Sequence, residues 1–149
     1  MVVTKNHDGN YGLGDTVTFN ITATNIYADA RTITLTEIDG VTLTQSVFEN
    51  VAGGATIETT ATYTITEADI LAQSFKNTVT AEVGSITKTA EDTVTADQIV
   101  EKNGHLTITK ETTSETPDEG YALGEAIEYK ITVTNDGNLT IDRKSTRLN

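Results

Sequence analysis

The chain has 149 residues, 36% of them hydrophobic and 5% aromatic, with 10 basic against 22 acidic side chains and a net charge of -12. That charge repels phosphates and anionic lipid, so nucleic acid and acidic membrane surfaces are excluded as partners. The absence of cysteine excludes disulfides, thiolate-bound zinc and a thiol nucleophile together.

Threonine fills roughly a fifth of the chain, and its branched side chain suits pleated strands with one wet face. In chain order, residues 2–5 predict a short first strand, followed by a polar connection punctuated by Gly9, Gly12 and Gly14. Residues 15–25, DTVTFNITATN, put Val17, Phe19, Ile21 and Ala23 on one face and threonines with Asn20 on the other, the period of two of a half-buried antiparallel strand. The same alternation returns at 32–36 and 41–44, and the Asp39-Gly40 step between them predicts a hairpin. After the Ala52-Gly53-Gly54 break, residues 56–66 predict a long strand with Ile57, Ala61, Tyr63 and Ile65 pointing one way.

Thr66-Glu67-Ala68-Asp69 is a helix start, a capping hydroxyl with acids in the first turn, and predicts one or two helical turns. Residues 75–83 and 86–96 predict two closing strands about Gly84-Ser85. Short alternating strands separated by turns in this way predict an all-β fold, an immunoglobulin-like antiparallel β-sandwich.

The pattern then begins again. Residues 125–135, EAIEYKITVTN, align without a gap to 15–25, and the match extends back through Tyr11/Tyr121, Leu13/Leu123 and Gly14/Gly124, an offset of about 110 residues. One complete domain followed by a truncated second copy is therefore expected: a first repeat at 1–97, a polar linker at 98–104, and the N-terminal part of a second repeat at 105–141. The loop 111–120, with Pro117, is longer than its counterpart. Strands of a part-domain leave Ile127, Tyr129, Ile131 and Val133 without an opposing sheet and exposed. Residues 142–149, DRKSTRLN, back-translate to a sequence resembling a sequencing adaptor and are expected to be an assembly artefact.

The stretches LTITKETTS, YALGEAIEYKITVTNDGNLTI and GGATIETTATYTITEADILAQSFKNTVTAEV resemble the tandem Thr-rich repeats of bacterial cell-surface proteins, a domain of unknown function with an immunoglobulin-like sandwich fold. The resemblance covers nearly everything before the adaptor-like tail. It implies a structural repeat in an extracellular stalk, mainly on Gram-positive cells, with an adhesive role and no enzymatic activity. The 25–31 stretch departs from the Asn-Asp-Gly-Asn turn of the second copy, which puts the equivalence of those loops in doubt.

Side-chain parity singles out three polar residues on the inward face: Lys5 shares it with Val3, Asn77 with Phe75, Val79 and Ala81, and Asp15 with Val17 and Phe19. Buried charges must pair or change protonation state. Lysine and asparagine held together with an acid can join in an intramolecular isopeptide bond, so Lys5, Asn77 and Asp15 form one candidate site. The alternative places Lys5 at the rim, Asn77 on backbone and Asp15 in a loop.

Asp8-Gly9-Asn10 and Asp118-Glu119-Gly120 supply oxygen ligands in corresponding loops but lack the twelve-residue calcium spacing, so they read as solvated turns and no metal or cofactor is expected. His7 and His105 have no partner histidine at ligand spacing and read as surface residues. Thr-x-Thr pairs such as Thr22/Thr24 and Thr62/Thr64 read as solvent-facing strand positions. No catalytic Ser/His/Asp order, phosphate loop or nucleophile elbow appears, so no catalytic residue is expected.

No apolar run approaches the 18 or so residues of a membrane-spanning helix, and no direct membrane insertion is expected. An extracellular location, at the cell surface or cell wall, is expected, with export and anchoring signals outside this sequence. The leading reading is a stalk or spacer whose partners are neighbouring repeats. The alternative is an adhesin module in which loops such as 26–31 or 111–120 contact a host protein or glycan.

Overall fold

The computed structural model describes residues 1–141; the adaptor-like segment lies outside the described residues. The chain divides into two units, Met1–Lys102 and Asn103–Asn149.

The first unit contains β1 (Val2–Asn6), β2 (Thr16–Thr24), β3 (Arg31–Thr36), β4 (Thr42–Leu43), β5 (Val47–Val51), β6 (Thr56–Thr64), α1 (Glu67–Ala72), β7 (Phe75–Val83) and β8 (Ile86–Val94). These form two four-stranded sheets, ordered β1-β2-β6-β4 and β5-β3-β7-β8, and every pairing is antiparallel. The architecture is all-β and consistent with a β-sandwich. Its interior is the alternation made physical: Val17, Phe19, Ile21 and Ala23 of β2 and Val79 and Ala81 of β7 are fully buried. Each large apolar side chain removed from water in this way contributes about 1.5–3 kcal/mol. The two inner faces meet through aromatic rings, Phe19 of β2 lying 6.2 Å from Phe75 of β7, and Tyr63 of β6 stacked on Phe75 at 3.7 Å.

On the outer face of the first sheet, threonines satisfy one another across the strands. Thr4 and Thr22 hydroxyls lie 2.7 Å apart, Thr24 and Thr56 2.7 Å, and Thr44 and Thr60 2.8 Å. Such cross-strand pairs stabilise the wet face of the sheet.

The expected helix is present. Thr66 caps it by accepting from the Asp69 amide, while the Asp69 carboxylate accepts from the Thr66 amide at 2.8 Å, a capping box. Ile70 on this turn is fully buried. Gly84, at a φ of 60°, turns β7 into β8.

The expected hairpin between 32–36 and 41–44 does not form. β3 pairs with β5 and β7 in one sheet, whereas β4 pairs with β6 in the other. Residues 37–41 therefore carry the chain from one sheet to the other, and Asp39-Gly40 marks this crossing. β5 had no signal in the sequence: its burial pattern does not alternate, its register shifts opposite Arg31 and Ile33, and Asn50 sits at a φ of 53°.

The 98–104 segment begins hydrogen-bonded to the first unit. Tyr11 bridges in parallel to Ile99, with Tyr11 N donating to Gln98 O at 2.7 Å and Val100 N to Tyr11 O at 3.0 Å. Ile99 is buried.

In the second unit, β9 (Leu106–Thr112) and β10 (Tyr129–Asn135) form an antiparallel pair whose side chains are exposed along both strands. Its register follows that of β1 and β2: Lys110 lies opposite Ile131 as Lys5 lies opposite Ile21. The loop after each key strand is also anchored alike. Asn25 Nδ2 donates to Asp29 O and its Oδ1 accepts from Tyr27 N; Asn135 Nδ2 donates to Leu139 O and its Oδ1 accepts from Gly137 N. The two loops thus share one asparagine anchor although their sequences part.

Candidate functional site

β1 ends its inward face on Lys5, whose side chain is fully buried, and whose ammonium pairs with the Glu37 carboxylate, itself 3% exposed. Glu37 directly follows β3 and continues the inward parity of Ile33 and Leu35. The pair therefore spans the two sheets. β3 and β7 are neighbours with Thr36 opposite Thr80, so Glu37 continues alongside Val79, a diagonal step from Asn77. Asn77 is fully buried, and β8 sets Asp92 directly opposite it.

The polar atoms in this cluster are unevenly satisfied. Asp92 is engaged through both oxygens, Oδ2 with His7 Nδ1 at 2.5 Å and Oδ1 with its neighbour Thr93 N at 2.9 Å. His7 Nε2 meets Gln98 Oε1 at 3.1 Å, and its ring lies edge-on to Phe19 at 5.5 Å. By contrast Asn77 Nδ2 and Oδ1, and Glu37 Oε2, are buried with no hydrogen-bond partner among the described residues. An unpaired buried polar atom costs about 1–3 kcal/mol, so three in one cluster form an anomaly in an otherwise well-satisfied core.

Burial pushes the Lys5 ammonium below its ordinary value of 10.5, opposed by its hydrogen bond to Glu37 and by the negative charges of Glu37 and Asp92. The Phe19 ring lies under the amine, 4.8 Å from Nζ to the ring centre. The site combines a desolvated amine, an acid with one free oxygen and a primary amide without partners.

Of the residues singled out in the sequence, Lys5 and Asn77 are inward and buried as parity required. Asp15 is not in the cluster: it precedes β2, is exposed, and its Oδ2 accepts from Gly12 N at 2.7 Å, closing the turn into the strand. Glu125 does the same for Ala122 N at 2.5 Å in the second unit. Parity failed at Asp15 because the pleat that parity assumes begins only at Thr16. Glu37 lies in Glu37-Ile38-Asp39-Gly40, which resembles a turn, and no signal in the sequence pairs it with Lys5. His7 was expected at the surface, yet its side chain is only 4% exposed.

The Asp8 carbonyl accepts from the Tyr11 hydroxyl at 2.5 Å, so the first of the two acidic loops is closed on itself. His105 pairs with Asp136 at 2.5 Å on the exposed side of the second unit. Among the described residues no helix is long and apolar enough to cross a membrane.

No family model and no curated protein matches the chain. Among solved structures, the crystal structure of a FixG-related protein from Vibrio parahaemolyticus is similar at a TM-score of 0.45 and 12% identity, over 62% of this chain and 92% of that one.

Proposed function

We propose that the chain is a non-catalytic structural repeat of an extracellular bacterial surface protein, a stalk or spacer element built from immunoglobulin-like domains. The observation that carries this reading is the recurrence of one construction in two units: lysine opposite isoleucine on the first strand pair, an acid closing the turn before the key strand, and an asparagine anchoring the loop after it. Recurring units of this kind suit a protein that gains reach by adding copies. The neighbour order supports the immunoglobulin-like version, since β1-β2-β6 in one layer and β3-β7-β8 in the other follow the strand grouping of that sandwich. The acidic surface keeps such a chain soluble outside the cell.

Two measurements test the proposal. Antibodies against the chain should label intact cells that make the protein; labelling only after lysis overturns the surface location. On arrays of glycans and extracellular host proteins the chain should show no saturable binding. Saturable binding that is lost on altering 26–31 or 111–120 would replace the spacer with the adhesin module.

A further inference from the structure

We propose that Lys5 and Asn77 are joined by an intramolecular isopeptide bond, formed autocatalytically with Glu37 as the proton-transfer group. The proposal stands on the buried cluster alone and does not depend on where the protein resides. Three observations converge on it. The only buried lysine among the described residues is paired with a buried glutamate between the sheets. Asn77 sits beside them in the strand register with both polar atoms unpaired, an arrangement that is unfavourable for an asparagine and natural for an acyl group awaiting a nucleophile. Glu37 keeps one oxygen free, whereas both oxygens of Asp92 are engaged and Asp15 lies in an exposed turn.

The chemistry balances without any added reactant. Within the desolvated pair, the Lys5 ammonium passes a proton to the Glu37 carboxylate, leaving a neutral amine and a neutral acid, the combination that burial favours over two charges. The amine lone pair attacks Cγ of Asn77, forming the new C–N bond while the Glu37 acid gives its proton to the amide oxygen. Glu37 then takes a proton from the former amine and delivers it to Nδ2. As the carbonyl reforms, its oxygen returns its proton to the Glu37 carboxylate, the Cγ–Nδ2 bond breaks, and nitrogen leaves as ammonia, so that Glu37 ends as the neutral acid. Nothing is oxidised or reduced, and the reactants are already held in place by the fold, which replaces an encounter with an intramolecular step.

The test is the mass of the folded full chain and a map of its proteolytic peptides. The expected result is an intact mass lower by one ammonia, about 17 Da as amide formation requires, and a branched peptide linking Lys5 to Asn77. The map is essential because the Asn103-Gly104 step can lose the same ammonia through a succinimide. The branched peptide should vanish in Lys5→Met and in Asn77→Leu. In Glu37→Gln the bond should form at least about a hundredfold more slowly, the usual scale for loss of a proton-transfer group. Circular dichroism of each variant separates lost chemistry from lost folding. A folded wild-type chain at full mass, or one whose missing ammonia maps only to Asn103, overturns the proposal whatever the variants do. Undiminished bonding in a folded Glu37→Gln removes Glu37 from the mechanism.

Discussion

At the scale of single residues, Asn77 gives two opposite expectations, and their sign is measurable. If its amide were free, Asn77→Leu would remove unpaired buried polar atoms at nearly constant volume, recovering about 1–3 kcal/mol and raising the melting temperature. If the amide is bonded to Lys5, the same substitution deletes a cross-link closing a long loop. On the chain-entropy scale for disulfides such a link is worth on the order of 3–5 kcal/mol, and at about 4–8 °C per kcal/mol for a domain of this size the midpoint should fall by roughly 10–40 °C. Thermal unfolding followed by circular dichroism decides between them, and we expect the fall. Lys5 and Asn77 were legible in the sequence because strand parity is a local property. Their partner was not, because Glu37 lies just past the end of β3 and meets Lys5 only when the two sheets are packed face to face.

Among the elements, β2, β6, β7 and β8 were readable from alternation and turn residues, and α1 from its capping box. The route from β3 to β6 was not. A turn signal such as Asp39-Gly40 says that the chain bends, while the choice between pairing back and crossing to the other sheet depends on which edge is free, a property of the whole assembly. The helix cap also gives the protein an alkaline limit. Tyr63 donates to Asp69 Oδ2 at 2.8 Å, and burial first, with that hydrogen bond second, holds its hydroxyl above the ordinary value of 10.0. Burial, with the charges of Asp8 and Asp92, moves Tyr11 the same way. A raised tyrosine stays neutral in the folded state at a pH where the unfolded chain has ionised, so its contribution is complete below 10.0 and is lost as pH climbs through the folded value. A free Lys5 would act with the opposite sign approaching 10.5, and a bonded one adds nothing. Melting temperatures between pH 9 and 11 should therefore decline, and Tyr63→Phe should lessen the decline; a profile unchanged by that substitution would show that Tyr63 does not carry it.

Across the whole molecule, the two units should differ sharply in stability. β2 is paired on both sides and buries Val17, Phe19, Ile21 and Ala23, whereas among the described residues β10 is paired only with β9 and leaves Tyr129 at 50%, Ile131 at 63% and Val133 at 57% exposure. Hydrogen exchange should accordingly protect amides of 17–23 by several orders of magnitude more than those of 129–135, since opening free energy tracks buried apolar contact; equal protection in a monomer would contradict the exposed β9–β10 pair. Load bearing gives the last expectation. A chain pulled from its ends passes force along the backbone, and an isopeptide bond from Lys5 on β1 to Asn77 on β7 would divert it around everything between. The roughly 70 residues so enclosed could not extend, which removes about 230–260 Å from the length released when the first unit unfolds, at about 3.3–3.6 Å per residue. Single-molecule extension of the full chain should show this shortened release in the wild type and the full length in Asn77→Leu. Equal release lengths would mean that the first unit carries force through its hydrogen-bonded strands alone, as any uncross-linked pair of antiparallel sheets does.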